Sequence, residues 1–328
     1  MLKTSCSSTY DVIIVGARCA GAATAMLLAR SGYNVLVLER GKEGTDTLST
    51  LALMRPAVMQ LHRWGLLPRV VAGGTPAVAE TSFFYPGTSL CVDIGERGGV
   101  STLFAPRRTL LDPIICDGAR EAGATVLHET RVLDLLRDGE RVVGVRTQDR
   151  AGNQRDYRAP LVVGADGRKS MVARLAGAEV LREGAYATGV QYGYFAGLPS
   201  RGFEWHFGHD VSGGLIPTND GLTLAFAACS RERYLRDVAP DTAAGFLTIL
   251  DEMGDLGERV RNSRAASKLY GAAGFQSTVR KPYGPGWALV GDAGYFRDPI
   301  TAQGISDALR DAELLARAIA RGGAFAEY

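Results

Sequence analysis

Three stretches of this chain combine residue types and spacings suited to holding phosphates and sugars. The first is Gly16-Ala17-Arg18-Cys19-Ala20-Gly21, at the turn from an apolar run into a helix-forming one. Small residues there let the amides at a helix start approach a pyrophosphate. Glu39 follows Gly16 by 23 residues, closes the next apolar run and is followed by Arg40. A carboxylate so placed accepts hydrogen bonds from a ribose diol. This turn alone does not tell one dinucleotide from another, and Arg18 stands where a second glycine is usual. The second stretch, Gly164-Ala165-Asp166-Gly167-Arg168-Lys169-Ser170, sets Asp166 and Gly167 just past another apolar run. Asp166 could serve a phosphate, a ribose or neighbouring backbone, and Asp-Gly is also a common turn. The third stretch discriminates best. It runs from Gly291-Asp292-Ala293-Gly294 through Pro299 to Gln303-Gly304-Ile305. Asp292 suits a row of sugar hydroxyls and Pro299 stiffens the loop. Gly304 lets the start of the helix carrying Ile305 approach an anionic ring. No Ser/His/Asp constellation is evident, so no side chain is assigned a catalytic role.

The elements that must carry these residues are legible from periodicity. Asp11 to Val15 reads as a buried parallel strand. An Ala- and Leu-rich helix from Gly21 to Ser31 stops at Gly32, and Val35 to Leu38 is a second strand. Together they form a βαβ unit of mononucleotide-binding length. Helices are expected over Pro56 to Trp64, Arg108 to Glu121, Thr242 to Met253, Glu258 to Ser263 and Ile305 to Ala320. Strands are expected over Ala79 to Asp93, turning at Pro86-Gly87, and over Leu161 to Val163 and Trp287 to Val290. Alternation around Val126, Val132, Val142 and Tyr157 predicts a small antiparallel meander. From Tyr186 to Ala228 the pattern shifts to longer alternating strands rich in aromatic residues. The late return of a buried strand near Val290 implies that the first domain is completed late in the sequence.

Composition sets limits. The chain has 328 residues, 46% of them hydrophobic, which suits about two domains. Its 37 basic and 35 acidic residues leave a net charge of +2, so nucleic acid is not an expected partner. Five cysteines with no C-x-x-C pair point to a reduced, cytoplasmic setting. No apolar run reaches the ~18 residues of a membrane span, and the stretch before Asp11 lacks the apolar region of a signal peptide. His206 and His209 invite a metal reading. Strand alternation turns them to opposite faces, so no metal site is assigned. Tyr192, Tyr194, Trp205 and Phe207 could line an apolar substrate cavity, although simple sheet packing explains them as well.

In this order, the three stretches resemble the para-hydroxybenzoate hydroxylase-like flavoproteins, a group that includes aromatic monooxygenases, geranylgeranyl reductases and flavin halogenases. A fourth match is Arg108-x-x-Leu111-x-x-x-Ile115-x-x-x-Ala119-x-x-x-Gly123. The resemblance implies an α/β fold: a Rossmann-type FAD-binding domain on a parallel sheet, plus a second domain on an antiparallel sheet. It implies FAD held noncovalently by Gly16, Arg18, Gly21, Glu39, Arg40, Arg108, Asp166, Gly167, Gly291, Asp292, Pro299, Gly304 and Ile305. Arg107 is the alternate for Arg108. Residues 1–74, 104–178 and 276–328 would form the FAD-binding domain, and residues 75–103 and 179–275 the substrate domain. The leading expectation is a monooxygenase of an apolar or aromatic small molecule. With only one dinucleotide turn in the chain, NAD(P)H would visit transiently as the reductant. The alternatives are a reductase acting on carbon–carbon bonds and a non-catalytic flavin-binding module. A halogenase fits less well, because the chain has no Trp-x-Trp-x-Ile-Pro stretch. Relatives carry further helices after Ala320, and a new helical pattern begins near Gly322, so a truncated chain is expected.

Overall fold

The computed structural model describes residues 10–322; the pattern after Gly322 lies outside them. The chain starts with β1 (Val12–Val15), every residue of which is buried. It turns into α1 (Cys19–Arg30), whose alanines let it lie close on the sheet, and returns as β2 (Val35–Leu38). Then come α2 (Arg55–Arg63) and the hairpin β3 (Glu80–Tyr85) and β4 (Thr88–Asp93). The helix α3 (Arg108–Glu121) leads into β5 (Thr125–Leu127). Next are β6 (Leu161–Gly164) and the short helix α4 (Met171–Ala176). Four long strands follow: β7 (Thr188–Ala196), β8 (Phe203–Phe207), β9 (Val211–Pro217) and β10 (Leu222–Ser230). After α5 (Leu256–Arg261), β11 (Trp287–Leu289) re-enters the first sheet and α6 (Gly304–Ala320) packs beside α1.

Two large sheets organise these elements. The first has the order Tyr283–Gly284, β11, β6, β1, β2, β5, and all its pairings are parallel except that of the edge strand. The second holds eight strands in the order Arg264–Ala265, β7, β10, β9, β8, β3, β4, with Tyr270–Ala272 also on β7. It is antiparallel apart from β8 on β3. Phe83 and Phe226 therefore lie in one sheet although 143 positions separate them. Alternation gives this sheet two apolar faces. Tyr192, Tyr194, Phe203, Ile216, Leu224 and Phe226 join the core built around α1. Phe195, Leu215, Ala225 and Ala227 pack on the opposite side with Phe246 and Leu256.

One strand expectation needs correction. Val126 does not belong to the small meander, which runs through Thr130–Asp138, Arg141–Asp149 and Gln154–Arg158. Val126 lies in β5 and pairs in parallel with Val37 of β2. The reason is that β5 and the next strand are separated only by a two-residue break at His128 and Glu129, where Glu129 takes φ +53°. Local alternation does not reveal that the chain changes sheets there. A further three-stranded sheet, Val180–Glu183, Thr278–Arg280 and Tyr295–Phe296, has strands too short for a period to show. No described helix is long and apolar enough to cross a membrane.

Candidate functional site

The β1–α1 turn is built by two glycines for two reasons. Gly16 takes φ +106°, where a side chain is strained, and a Cβ there would also meet the Ala165 carbonyl oxygen at 2.4 Å. A Cβ on Gly21 would sit 1.9 Å from the Gly16 carbonyl oxygen. The helix thus starts pressed onto its own strand and onto the loop after β6. No side chain caps the first turn of α1, so its leading amides are left for another acceptor. Glu39 braces the turn: its Oε2 accepts from the Ala17 amide at 2.9 Å and its Oε1 from the Gly41 amide at 2.8 Å. Each oxygen keeps a lone pair for a sugar hydroxyl. Arg40, next to it, is exposed. Arg18 reaches the Asp46 carbonyl with Nη2, while its Nη1 is buried without a hydrogen-bond partner.

Arg108 opens α3 beneath this turn and is buried. It forks onto Asp112 through Nε at 2.9 Å and Nη2 at 3.0 Å, and the Cys19 thiol donates to the same carboxylate at 3.1 Å. Asp292 faces this cluster at the end of β11. Burial pushes its carboxyl up to about 6 against the pull of Arg108 and Arg168. Gly291 beside it takes φ +57° and packs on Ala20 of α1 and Ala308 of α6. Its amide donates to Asp311, which Arg310 holds in turn. The structure thus gathers Gly16, Arg18, Gly21, Arg108, Gly291 and Asp292 around the start of α1.

Glu39 also belongs to this group, through the Ala17 amide, and the Asp166 backbone adjoins Gly16. Asp166 has its lone pairs engaged locally: it accepts from Ser170 Oγ at 2.5 Å and from the amides of Met171 at 2.6 Å and Val172 at 3.2 Å. That arrangement holds the start of α4, and Gly167 turns the chain with φ +78°. Pro299 begins a single 3-10 turn, and Gly304 and Ile305 open α6, again without a side-chain cap. Asp298 fastens this loop to the second sheet by accepting the Thr188 amide at 2.8 Å.

The aromatic face of the second sheet closes over these loops. The Tyr192 hydroxyl accepts from the Ser49 amide at 3.2 Å and stands 3.4 Å from the Thr47 carbonyl. Arg107 lies 3.9 Å over the Tyr194 ring and pairs with Asp46 at 2.9 Å. The Tyr194 hydroxyl is buried without a partner. Asn219 was not anticipated. From the turn between β9 and β10 its Oδ1 accepts the Arg107 amide at 2.9 Å, and its amide donates to the Gly73 carbonyl at 2.9 Å. The only local signal is Pro217-Thr218-Asn219-Asp220-Gly221, which reads as an ordinary turn. His206 is buried under Phe84, and His209 lies beyond β8 beside Asp210, so the two do not share a site. Glu43, Cys116 and His128 bring their ligand atoms within 4.8 Å. Arg120 already occupies Glu43 through two bonds, and burial pushes the Cys116 thiol up to about 12, so this set does not suit a cation.

Residues 9–322 match the family of the FAD binding domain. The digeranylgeranylglycerophospholipid reductase of Methanosarcina acetivorans is 25% identical over 310 residues, covering 92% of this chain and 72% of the relative. Among solved structures, the flavin-dependent brominase Bmp2 superposes with a TM-score of 0.86 at 21% identity, over 97% of this chain and 80% of that one. PqsL of Pseudomonas aeruginosa, solved with 2-aminobenzoylacetate, gives a TM-score of 0.79 at 25% identity, over 95% of this chain and 86% of that one. PqsL is described as a probable FAD-dependent monooxygenase.

Proposed function

The chain belongs to the FAD binding domain family, and from that premise we propose that this FAD-dependent oxidoreductase is a monooxygenase of an apolar or aromatic small molecule, with NAD(P)H as a visiting reductant. One observation carries the reading. The buried aromatic face of Tyr192, Tyr194, Phe203 and Phe226 shares a single core with the turn that starts α1. Such a face excludes water, and an apolar substrate that entered against it would lie next to the cofactor. The likeness to PqsL supports it.

The residues present suit FAD. The uncapped amides of α1 and Arg18 Nη1, which has no hydrogen bond and only the Asp112 carboxylate at 3.9 Å, would take the pyrophosphate, Glu39 the adenosine ribose and Asp292 the ribityl hydroxyls. Gly304, with open space where a Cβ would stand, would let α6 approach the ring. When bound, FAD supplies the electron transfer that no side chain here can perform. Arg107 and Asn219 fix the floor under Tyr194, and Asp298 ties the loop after β11 to the aromatic sheet. The four described cysteines, Cys19, Cys91, Cys116 and Cys229, are unpaired, which fits a reducing, cytoplasmic setting.

FAD should be held noncovalently. Burial pushes the thiols of Cys19 and Cys116 up, so neither offers a thiolate beside the cofactor at neutral pH. Heat-denatured protein should release all its flavin as free FAD and keep the polypeptide's own mass. Flavin retained on the chain would overturn this.

The competing reading is a carbon–carbon reductase, favoured by the reductase relative that spans 92% of this chain. The FAD-loaded enzyme should be given NAD(P)H under oxygen with aromatic and polyprenyl compounds, and the products weighed. A product heavier by one oxygen, labelled from oxygen gas, supports the monooxygenase. A product heavier by two hydrogens, formed equally well without oxygen, replaces it with the reductase. NAD(P)H oxidation that no compound stimulates leaves a flavin-binding module.

A further inference from the structure

A cleft of about 700 Å³ opens between α2 and the first turns of α6. None of the residues proposed for FAD lines it. Arg55 and Arg63 project into it from α2, and Arg310 from α6. Arg97 and Arg297 come from flanking loops. Among the lining residues only Asp307 is a carboxylate. Some of this charge is already spent. Arg310 pairs with Asp307 and Asp311 at 2.7 Å each, and Arg63 pairs with Glu313 at 2.8 Å. Arg297 stands 3.6 Å from Asp307. Arg55 and Arg97 have no carboxylate partner among the described residues. Arg55 Nη1 donates to the carbonyls of Gly95 at 2.8 Å and Val100 at 3.1 Å, which orient the guanidinium without neutralising it.

The same wall holds buried polar atoms without a hydrogen-bond partner. Ser306 is 4% exposed and Gln60 6%, yet Ser306 Oγ and Gln60 Oε1 accept or donate no hydrogen bond, and Asp307 Oδ2 has only Arg297 Nε at 3.6 Å. Leaving such atoms unpaired is costly, so a ligand that pairs them gains that energy back. Two of the three are obligate acceptors and call for hydroxyl donors. The two uncommitted guanidinium forks call for an oxyanion.

We propose that the α2–α6 cleft is a binding site for a phosphate ester that carries free hydroxyls, with Arg55 and Arg97 on the phosphate and Gln60, Ser306 and Asp307 on the hydroxyls. Two sources have this chemistry: the nucleotide portion of the reductant, and the phosphorylated head of a lipid substrate. Because the cleft and the flavin-facing residues share the first turn of α6, a ligand held here by its phosphate sits next to the cofactor end of that helix.

The FAD-loaded protein should be titrated by calorimetry, in phosphate-free low-salt buffer, with NADP⁺, glycerol 3-phosphate and inorganic phosphate. At least one ester should bind more tightly than inorganic phosphate. Arg55→Gln and Arg97→Gln should each weaken that ester at least tenfold while FAD content stays the same. Preference for NADP⁺ identifies the reductant as the source, and preference for glycerol 3-phosphate identifies a lipid head. Binding of no ester, or ester binding unchanged in both variants, overturns the proposal. Inorganic phosphate binding as tightly as both esters overturns the hydroxyl contacts. Calorimetry reads binding without turnover, so a failed oxygenation assay does not touch this result.

Discussion

Exchanging Asp292 for asparagine should strip the protein of most of its FAD and yet stabilise the FAD-free chain at neutral pH. The two effects have one origin. Burial pushes this carboxyl up to about 6, with Arg108 and Arg168 offsetting only part of the cost of burying its charge. The folded pKa lies above the unfolded one. The stability this group contributes is therefore complete below the ordinary carboxylate range and is lost as pH rises through about 6. At neutral pH the FAD-free wild type carries a penalty on the order of 2–3 kcal/mol that the asparagine variant escapes. With FAD present, the ionised carboxylate becomes the asset. A charge-assisted hydrogen bond to ribityl hydroxyls is worth roughly 1.5–3 kcal/mol, so the FAD dissociation constant should rise about ten- to a hundredfold.

Asp166 supplies the contrast. Its carboxylate is engaged by Ser170, Met171 and Val172 at the start of α4. Burial pushes the Asp166 carboxyl up as well, so relief of its charge offsets part of the lost hydrogen bonds. Asp166→Asn should cost no more than about 0.5–2 kcal/mol of stability, as the loss of a helix cap does, while the folded protein keeps its FAD. Flavin fluorescence gives the dissociation constants, and urea unfolding of the FAD-stripped proteins at pH 5 and pH 7.5 gives the stabilities. Equal loss of FAD in the two variants, or an Asp292→Asn chain no more stable than wild type at pH 7.5, would sink the assignment.

That the turn carrying Asp292 is legible in sequence, while the walls of the α2–α6 cleft are not, is a matter of range. A buried parallel strand, a glycine turn and a helix start are written within a few consecutive residues. So β1, β2, α3 and α6 lie within two residues of where periodicity and stop signals place them. The Arg108–Asp112 fork was not among the expectations, although its i, i+4 spacing carries the signal. Arg55 and Arg63, by contrast, read as the solvated side of an amphipathic helix. Only the approach of α6, some 250 positions later, turns that side into a cleft wall. Val126 pairs away from the meander for the same reason, since its partner in β2 lies 89 positions earlier and leaves no local trace. Asn219 looks like any turn asparagine until Arg107 is folded against it.

Glu204 depends on long-range contact more than any of these. It alternates inward from β8, 3% exposed, on the face opposite Phe203 and Trp205. From α5, Arg259 binds both of its oxygens, at 2.8 and 3.1 Å, and His206 Nε2 stands 3.3 Å away. Burial alone would push this carboxyl up. The hydrogen bonds from His206 and Arg259 outweigh it and hold the group down to about 2. The folded pKa is thus below the unfolded one. The pair's contribution is complete above the ordinary glutamate range and is lost as pH falls from about 4.5 towards 2. Glu204→Gln removes the charge and leaves Arg259 with only the exposed Asp255 at 4.0 Å and the Pro199 carbonyl at 2.9 Å. A broken buried pair costs about 3–5 kcal/mol, and the partial exposure of Arg259 puts this one near the lower end. Replacing both partners with apolar residues, Glu204→Leu with Arg259→Met, should recover most of the loss, because no orphan charge remains. Urea unfolding at pH 7 of wild type, Glu204→Leu, Arg259→Met and the double variant completes the cycle, and Glu204→Gln gives the cost of the lost charge alone. If the double variant is as unstable as the sum of the singles, the two side chains act independently, and the second sheet is not tied to α5 through this pair.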